Sequence, residues 1–176
     1  MRIEVLRIGQ RLVRDDRVTT HAGLVARAFG VSKILMNEVN PEIKDTISKV
    51  NRVWGGNFEI EIIDNWKKII KYKKNESFKI IHLTMYGECI DSVQDEIRKE
   101  DKILIVIGAE KVPREVYDFA DYNVAVSNQP HSEISALAVF LDRVLEGKQF
   151  QMKRANGQKE IIPTKKGKKV LDKTID

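Results

Sequence analysis

Three short loops combine glycine or proline with polar side chains, and each directly follows an apolar run that predicts a buried strand. They span residues 83–87, 108–113 and 127–132. In open α/β sheets, ligands bind outside the carboxyl ends of the strands. Glycine in such a loop allows a ligand to approach the backbone, and the helix after the third loop offers free backbone N–H groups. The sequence therefore predicts one ligand pocket built from these three loops.

Several common chemistries lack their residues in this chain. The sequence holds neither G-x-G-x-x-G nor G-x-x-x-x-G-K-[ST], so a dinucleotide or P-loop nucleotide site is unsupported. H-E-x-x-H is missing too, and three distant histidines (His21, His82 and His131) with one cysteine do not predict a metal site. Cys89 alone excludes an internal disulfide and favours a reducing, cytoplasmic setting. His82 lies within an apolar run and is expected to be a hydrogen-bonded core residue.

The predicted pocket requires a parallel sheet, and the hydrophobic pattern indicates one. Short β-branched runs alternate with segments of helical spacing, which is typical of βαβ units. Strands are expected at 3–8, 31–36, 58–63, 78–84, 103–107 and 124–127, with a short one at 160–162. Helices are expected at 20–30, 41–54, 64–74 with Asp64 as its cap, 91–100, 114–120 and 133–145. The run 103–107 lacks polar alternation and indicates a central strand. Residues 9–19 are predicted to form a loop, and residues 147–157 a linker.

Positive charge is concentrated in two parts of the chain. The 176 residues carry 31 Lys and Arg against 26 Asp and Glu, a formal net charge of +5. Residues 148–176 hold nine basic and three acidic residues, and residues 64–79 hold six lysines against two carboxylates. Local positive charge is typical of a surface that binds RNA, although a solvated lysine face gives the same pattern. No run of about 18 apolar residues occurs, so no membrane-spanning helix is expected.

Four stretches of the sequence carry a family resemblance. They read RDDRVTTH at 14–21 running into ARAFG at 26–30, HLTMYG at 82–87, IGAEKVPREVY at 107–117, and ADYNVAVSNQPHSE at 120–133. A tail piece, IP at 162–163 and GKKV at 167–170, belongs with them. Together they resemble the archaeal tRNA (cytidine-56) 2′-O-methyltransferase family, a branch of the trefoil-knotted SPOUT methyltransferases. The stretch from 107 to 133 is long and specific, so chance matching is implausible.

This resemblance implies an α/β fold with a mostly parallel sheet flanked by helices and a deep C-terminal trefoil knot, the SPOUT or α/β-knot fold. It implies one domain over residues 1–147 with the knot in about 80–147, and a basic extension, 148–176, packed on or following it. It also implies a homodimer and S-adenosylmethionine as methyl donor. The implied cofactor contacts are Leu83, Gly108, Ala109, Glu110, Lys111, Val112, Val126, Ser127, Asn128, Gln129, Pro130, His131, Ser132 and Glu133.

The implied reaction transfers a methyl group, without a metal, to the ribose 2′-hydroxyl of the T-loop cytidine at tRNA position 56. In many SPOUT ribose methyltransferases an arginine near the first helix activates the hydroxyl, whereas here Leu24 falls at the matching position. The candidate catalytic residues are therefore Arg17, then Arg14, with His21 as an orienting group or base. A solvated ion-pair loop is the alternative for the arginines, and a helix-start position is the alternative for His21.

RNA recognition is expected from arginine and lysine side chains that bind phosphates. The candidates are Arg11, Arg14, Arg17, Lys67, Lys68, Lys71, Lys165, Lys166, Lys168 and Lys169. Two other functions stay open: a SPOUT methyltransferase acting on another tRNA or ribosomal RNA nucleotide, and a catalytically silent RNA-binding dimer. A flavodoxin-like nucleotide-binding module is disfavoured because the phosphate loops are missing.

Overall fold

The structure is a computed structural model, and it describes residues 1–9 and 16–173. The strands are β1 (Arg2–Ile8), β2 (Lys33–Met36), β3 (Glu59–Ile62), β4 (Lys79–Cys89), β5 (Lys102–Gly108), β6 (Tyr122–Ala125), β7 (Lys159–Ile161) and β8 (Val170–Asp172). The helices are α1 (Asp16–Ala28), α2 (Ile43–Trp54), α3 (Trp66–Asn75), α4 (Ile90–Ile97), α5 (Arg114–Phe119) and α6 (Glu133–Leu145), followed by a 3-10 helix at Lys148–Gln151. Within these residues, no helix has the length and apolar character needed to cross a membrane.

Six strands form the main sheet, in the order β3-β2-β1-β5-β4-β6, and each neighbouring pair is parallel. β1 and β5 form its centre, with Val5 opposite Ile105 and Leu6 opposite Val106. Residues 103–107 are all buried. An unbroken apolar run suits a strand that is covered on both faces, so the predicted central strand is confirmed.

Helices cover both faces of the sheet. α1, α2, α4 and α6 pack on one face, where Ile47, Ile97 and Phe140 join alternate strand residues in the larger core. α3 and α5 pack on the other face, where Ile70 and Val116 meet a smaller core. The alternation of strands and helices along the chain thus produces the predicted α/β architecture with helices on both sides of the sheet.

The start of α1 differs from the prediction. The helix begins at Asp16, inside the stretch 9–19 that the sequence predicts as a loop. Thr19, Ala22 and Ala26 are buried at helical spacing, so the inward face of α1 extends further towards the N-terminus than predicted. Apart from α1 and β4, the predicted boundaries lie within three residues of the observed ones.

The cap of α3 also differs by one residue. The side chain of Asn65 accepts a hydrogen bond from the Lys68 backbone N–H at 3.1 Å, so Asn65 is the N-cap and the predicted Asp64 is not. An N-cap side chain accepts a hydrogen bond from the backbone N–H of the second or third helical residue. Asp64 lies one residue before the N-cap position, and it is exposed. The inward face of the helix is as predicted, because Ile70 is buried and Trp66 and Ile69 pack against the same core.

β4 is longer than predicted. The sequence pattern ends this strand at residue 84, yet pairing with β6 resumes at Glu88. The register shifts between Leu83 and Glu88, so residues 84–87 form a bulge within the strand. Gly87 lies directly on β6, because a Cβ there would collide with the Asn123 carbonyl oxygen and lie 2.6 Å from Val124 N. The predicted loop is therefore a bulge with strand pairing at both of its ends.

Residues 147–157 are not the free linker that the sequence predicts. The 3-10 helix follows α6 closely, and the Arg154 guanidinium donates to the Arg27 carbonyl oxygen. The Gln158 N–H donates to the Arg52 carbonyl oxygen at 3.2 Å. β7 then pairs with β8, an antiparallel partner that the sequence pattern did not indicate. The C-terminal extension is thus docked on α1 and α2 through their main chains.

Candidate functional site

A cavity of about 650 Å³ opens beside the bulge of β4 and the carboxyl end of β5. Its wall consists of residues 83–86 and 107–112 together with Arg114, Tyr117, Pro130, His131, Glu133 and Ala136. This volume is typical of small-molecule sites. The position is the one predicted for a ligand pocket, and all three predicted loops contribute to the wall.

The structure brings most of the predicted cofactor residues to this cavity. Those that line it are Leu83, Gly108, Ala109, Glu110, Lys111, Val112, Pro130, His131 and Glu133. Those outside its lining are Val126, Ser127, Asn128, Gln129 and Ser132. Ser132 caps α6 by accepting a hydrogen bond from Ser135 N–H at 3.3 Å, and Ser127 Oγ accepts one from Gln129 N–H at 3.2 Å. These side chains shape the third loop, and their contact with a cofactor stays a prediction.

Gly108 allows a tight turn in the second loop. A Cβ on Gly108 would collide with Val112 Cγ1 and lie 2.8 Å from the Glu110 carbonyl oxygen. The Ala109 N–H donates to the Ile8 carbonyl oxygen at 3.0 Å and ties the loop to the end of β1. The space next to Gly108 is therefore filled by Val112 and Glu110 of the same loop and not left for a ligand. Val112 in turn forms part of the cavity wall.

A buried polar network lies behind the cavity wall. His82 Nδ1 is 2.8 Å from Asn123 Oδ1, and the His82 ring packs edge-on against Tyr117 with ring centroids 4.6 Å apart. The Tyr117 hydroxyl lies 3.2 Å from Thr84 Oγ1, and both of these residues line the cavity. Burial lowers the pKa of His82 below its ordinary 6.5, against the raising effect of the hydrogen bond to Asn123. The predicted hydrogen-bonded core histidine is confirmed.

Arg7 is a residue of the site region that sequence analysis missed. It is 0% exposed. Its Nη2 lies 3.3 Å from Glu133 Oε1 and its Nη1 donates to the Gly9 carbonyl oxygen at 3.3 Å, while the Gly9 N–H donates to Asn37 Oδ1 at 3.0 Å. A buried charge needs a partner, and among residues 1–9 and 16–173 the carboxylate of Glu133 lies against it. One sequence feature could have identified this residue: an arginine within the apolar run 3–8, two residues before Gly9.

The cavity combines apolar surface with charges of both signs. Leu83 and Ile107 provide apolar wall, the carboxylates of Glu110 and Glu133 provide negative charge, and Lys111 provides positive charge. S-adenosylmethionine, the donor that the resemblance implies, has a flat base, a cationic sulfonium and an amino-acid group with both charges. The residues present therefore fit this cofactor.

Within one chain, the two catalytic candidates that the structure describes, Arg17 and His21, do not line this cavity. Arg17 is exposed in the first turn of α1 and lines a separate cavity of about 240 Å³, with polar side chains from α1 and from around the start of α2. His21 is exposed one turn later. Arg11 and Arg14 lie outside the described residues. The structure thus separates the described catalytic candidates from the predicted cofactor residues.

The predicted RNA-binding lysines lie on two surfaces. Lys67, Lys68 and Lys71 belong to α3, where Lys67 forms an ion pair with Glu115 and the other two are exposed. The four tail lysines are exposed in the turn between β7 and β8: Lys165, Lys166, Lys168 and Lys169. Lys73 of the same basic stretch is instead buried, with its Nζ 2.8 Å from Glu4 Oε2. The number of lysines in residues 64–79 is therefore larger than the number of unpaired, exposed cations that α3 offers to a partner.

Sequence comparisons agree on one family. The family described as "tRNA ribose 2′-O-methyltransferase, aTrm56" matches residues 54–171. A tRNA (cytidine(56)-2′-O)-methyltransferase of Nitrosopumilus maritimus is 66% identical over 170 residues, which cover 97% of this chain and 96% of the relative. The protein of the same name from Thermococcus kodakarensis is 52% identical over 174 residues, 96% of each chain.

Solved structures share the fold at low identity. An A. aeolicus TrmH/SpoU tRNA modifying enzyme has a TM-score of 0.61 at 16% identity, over 87% of this chain and 80% of that one. An AdoMet-bound rRNA methyltransferase from Sinorhizobium meliloti has a TM-score of 0.63 at 14% identity, over 82% of this chain. This chain spans 56% of that protein, and 58% and 59% of two other solved chains. The α/β sheet with its flanking helices is thus the fold found in SpoU and TrmH methyltransferases.

Proposed function

Because this chain belongs to the tRNA ribose 2′-O-methyltransferase family, we propose that it transfers a methyl group from S-adenosylmethionine to the ribose 2′-hydroxyl of cytidine 56 in the T-loop of tRNA. The observation that carries this proposal is the extent of the family match. It spans residues 54–171, which include every segment that lines the 650 Å³ cavity. The cavity is therefore the site in which the methyl donor binds.

The donor supplies an electrophilic methyl group on a cationic sulfur. The apolar side chains of Leu83 and Ile107 would hold the flat base, and the carboxylates of Glu110 and Glu133, which line the same cavity, would stabilise the cationic part. Lys111 binds the donor's carboxylate. The protein aligns the ribose oxygen with the methyl carbon, so that the C–O bond forms as the C–S bond breaks. The hydroxyl proton would pass to His21 if this residue is the base, and the donor would be left as a neutral thioether.

Arg17, and then Arg14, position the hydroxyl and a neighbouring phosphate, because an arginine keeps its charge at neutral pH. His21 orients the ribose or accepts the proton. In one chain Arg17 and His21 lie away from the donor cavity, so a second copy must bring α1 to it. This separation supports a homodimer with the active site between two subunits.

Residues of about 80–147 form a deep trefoil knot in this proposal, which rests on the resemblance of residues 107–133 to the knotted SPOUT methyltransferases. Residues 1–147 form the methyltransferase domain, and the basic extension, 148–176, packs on it through Arg154 and Gln158. The cytoplasm is the compartment that we infer for the enzyme, because its proposed substrate is tRNA. The side chains that bind tRNA phosphates in this proposal are those of Arg11, Arg14 and Arg17, of Lys67, Lys68 and Lys71 in α3, and of the four lysines in the β7–β8 turn.

The experiment that tests this function is the transfer of labelled methyl from S-adenosylmethionine to an unmodified tRNA transcript, followed by mapping of the labelled nucleotide. We expect label on the ribose of cytidine 56, and none on a control transcript that carries 2′-deoxycytidine at that position. Arg17→Ala should lower kcat by about 10²- to 10⁴-fold, the usual contribution of proton transfer and its positioning.

Two results would replace this function with an alternative. Label at another tRNA or ribosomal RNA nucleotide would keep the donor and change the substrate. Binding of S-adenosylmethionine and RNA without transfer to any RNA would leave a catalytically silent RNA-binding dimer.

A further inference from the structure

Tyr86 is a large aromatic residue that the fold leaves exposed at the donor cavity. Its relative exposure is 75%, although it belongs to the cavity wall. The interior of the wall is formed by buried neighbours such as Leu83 and Ile107. The Tyr86 ring therefore lies at the mouth of the cavity, where an aromatic face is open to a second ligand.

The backbone around Tyr86 is held from both sides. The Tyr86 N–H donates to Thr84 Oγ1 at 3.4 Å, and Asn128 Nδ2 donates to the carbonyl oxygens of Met85 and Gly87 at 2.7 and 3.4 Å. Gly87 also lies directly on β6. This bulge presents the ring in a fixed position, and preorganisation of this kind reduces the entropy lost when a ligand binds.

Arg114 places a free cation on the same rim. It is exposed, it lines the cavity, and it has no carboxylate partner among residues 1–9 and 16–173. The carboxylate of its neighbour Glu115 is paired with Lys67. A guanidinium without an ion-pair partner is well suited to a phosphate, because its planar donors match phosphate oxygens.

We propose that Tyr86 and Arg114 form a nucleotide-binding subsite at the mouth of the cavity. The Tyr86 ring stacks on a nucleobase of the RNA at or next to the methylated ribose, and Arg114 binds the adjoining phosphate. The inference rests on the proposed function, since it assumes that the ligand entering the cavity is RNA. A nucleotide unstacked from the folded RNA loses its neighbours, and an aromatic face replaces that stacking for any base.

The test of the ring compares Tyr86→Ala with Tyr86→Phe. Stacking of one base is worth about 1–3 kcal/mol, which converts to a loss of about 5- to 150-fold in affinity. We expect Tyr86→Ala to raise the KM for tRNA, and the Kd for tRNA, by a factor in this range. Tyr86→Phe should keep wild-type values, and the Kd for S-adenosylmethionine should change less than about twofold in both variants. The thermal unfolding midpoint should stay the same, because the ring is exposed.

The test of the cation measures how tRNA affinity depends on salt. Arg114→Ala should reduce the slope of log K against log salt by about 0.7 to 0.9, the contribution of one neutralised phosphate. Lys99→Ala is the matched control, because Lys99 is an exposed cation near the amino ends of the strands, away from the cavity. It should leave the slope unchanged.

Three results would overturn the subsite. They are an unchanged KM and Kd for tRNA in Tyr86→Ala, an equal loss in Tyr86→Phe, and a loss of S-adenosylmethionine affinity as large as the loss for tRNA. Failure of the proposed function is distinguishable, because it shows as absence of methyl transfer by the wild-type protein. A protein that transfers no methyl but binds tRNA through Tyr86 would retain the subsite and lose the activity.

Discussion

The ion pair between Arg7 and Glu133 joins the centre of the sheet to the cavity wall. Arg7→Met would leave the Glu133 carboxylate, whose side chain is 16% exposed, without its cation. Removal of one partner from a buried pair costs about 3–5 kcal/mol. We expect a loss near the lower end of that range, because Glu133 retains some contact with water. Urea unfolding of the variant measures it.

The control for this prediction is the double variant Arg7→Met/Glu133→Gln, which removes both charges. It should lose less free energy of unfolding than the sum of the two single variants, because the unpaired carboxylate is gone. Strict additivity would show that the two side chains are not coupled.

His82 makes the stability of the protein depend on pH. Because burial lowers its pKa in the folded state, the unfolded state binds more protons once the pH falls below about 6.5. The contribution of His82 is complete above that pH and is lost progressively as the pH falls towards the lower folded pKa. The measurement is urea unfolding between about pH 8 and 5 for the wild type and His82→Gln. The wild type should lose more free energy of unfolding on acidification, and parallel pH profiles would contradict the assignment.

At the scale of residues, the sequence predicts those cavity-lining residues that lie in continuous motifs. Leu83 and the run 108–112 follow buried strands and reach the cavity as expected. Arg7 could not be assigned in this way, because its partner Glu133 is 126 positions away. The exposure of Tyr86 is likewise set by the shift in pairing between β4 and β6.

At the scale of elements, the cap of α3 provides a local test with an adjacent control. Asn65→Ala removes the acceptor for the Lys68 N–H and should lower the free energy of unfolding by about 1 kcal/mol, within the 0.5–2 kcal/mol known for such caps. Asp64→Ala changes an exposed residue one position earlier and should have an effect within about 0.5 kcal/mol. Chemical denaturation of both variants decides which residue is the cap.

Element types follow from the sequence more reliably than element ends. The helix 133–145 is confirmed at both ends, because Ser132 caps its first turn and Gly147 follows its last residues. The predicted end of β4, at residue 84, was wrong, because a stretch that contains Gly87 is typical of a loop. The return of this stretch to the strand depends on pairing with β6, which no local pattern in residues 84–87 reports.

At the scale of the whole molecule, the basic turn between β7 and β8 can be tested without disturbing the fold. Replacement of its lysines by alanine, at 165, 166, 168 and 169, removes four exposed charges and leaves the docking hydrogen bonds of Arg154 and Gln158 intact. The slope of log K for tRNA against log salt should fall by about 0.7–0.9 for each phosphate that the turn no longer neutralises. Removal of four other lysines (Lys44, Lys49, Lys79 and Lys99) makes the same change in net charge and should preserve more of the slope. Equal slopes for the two variants would exclude the turn from the RNA surface.

The order in which the ribosome makes this chain has a consequence for how the sheet assembles. β1 pairs with β2 and β5, and residues 9–101 must be synthesised before the first residue of β5. During that interval the nascent chain carries an apolar strand, β1, with one unpaired edge, the kind of surface on which other chains can add. The middle of the sheet can therefore close only once β5, its most apolar strand, has been made.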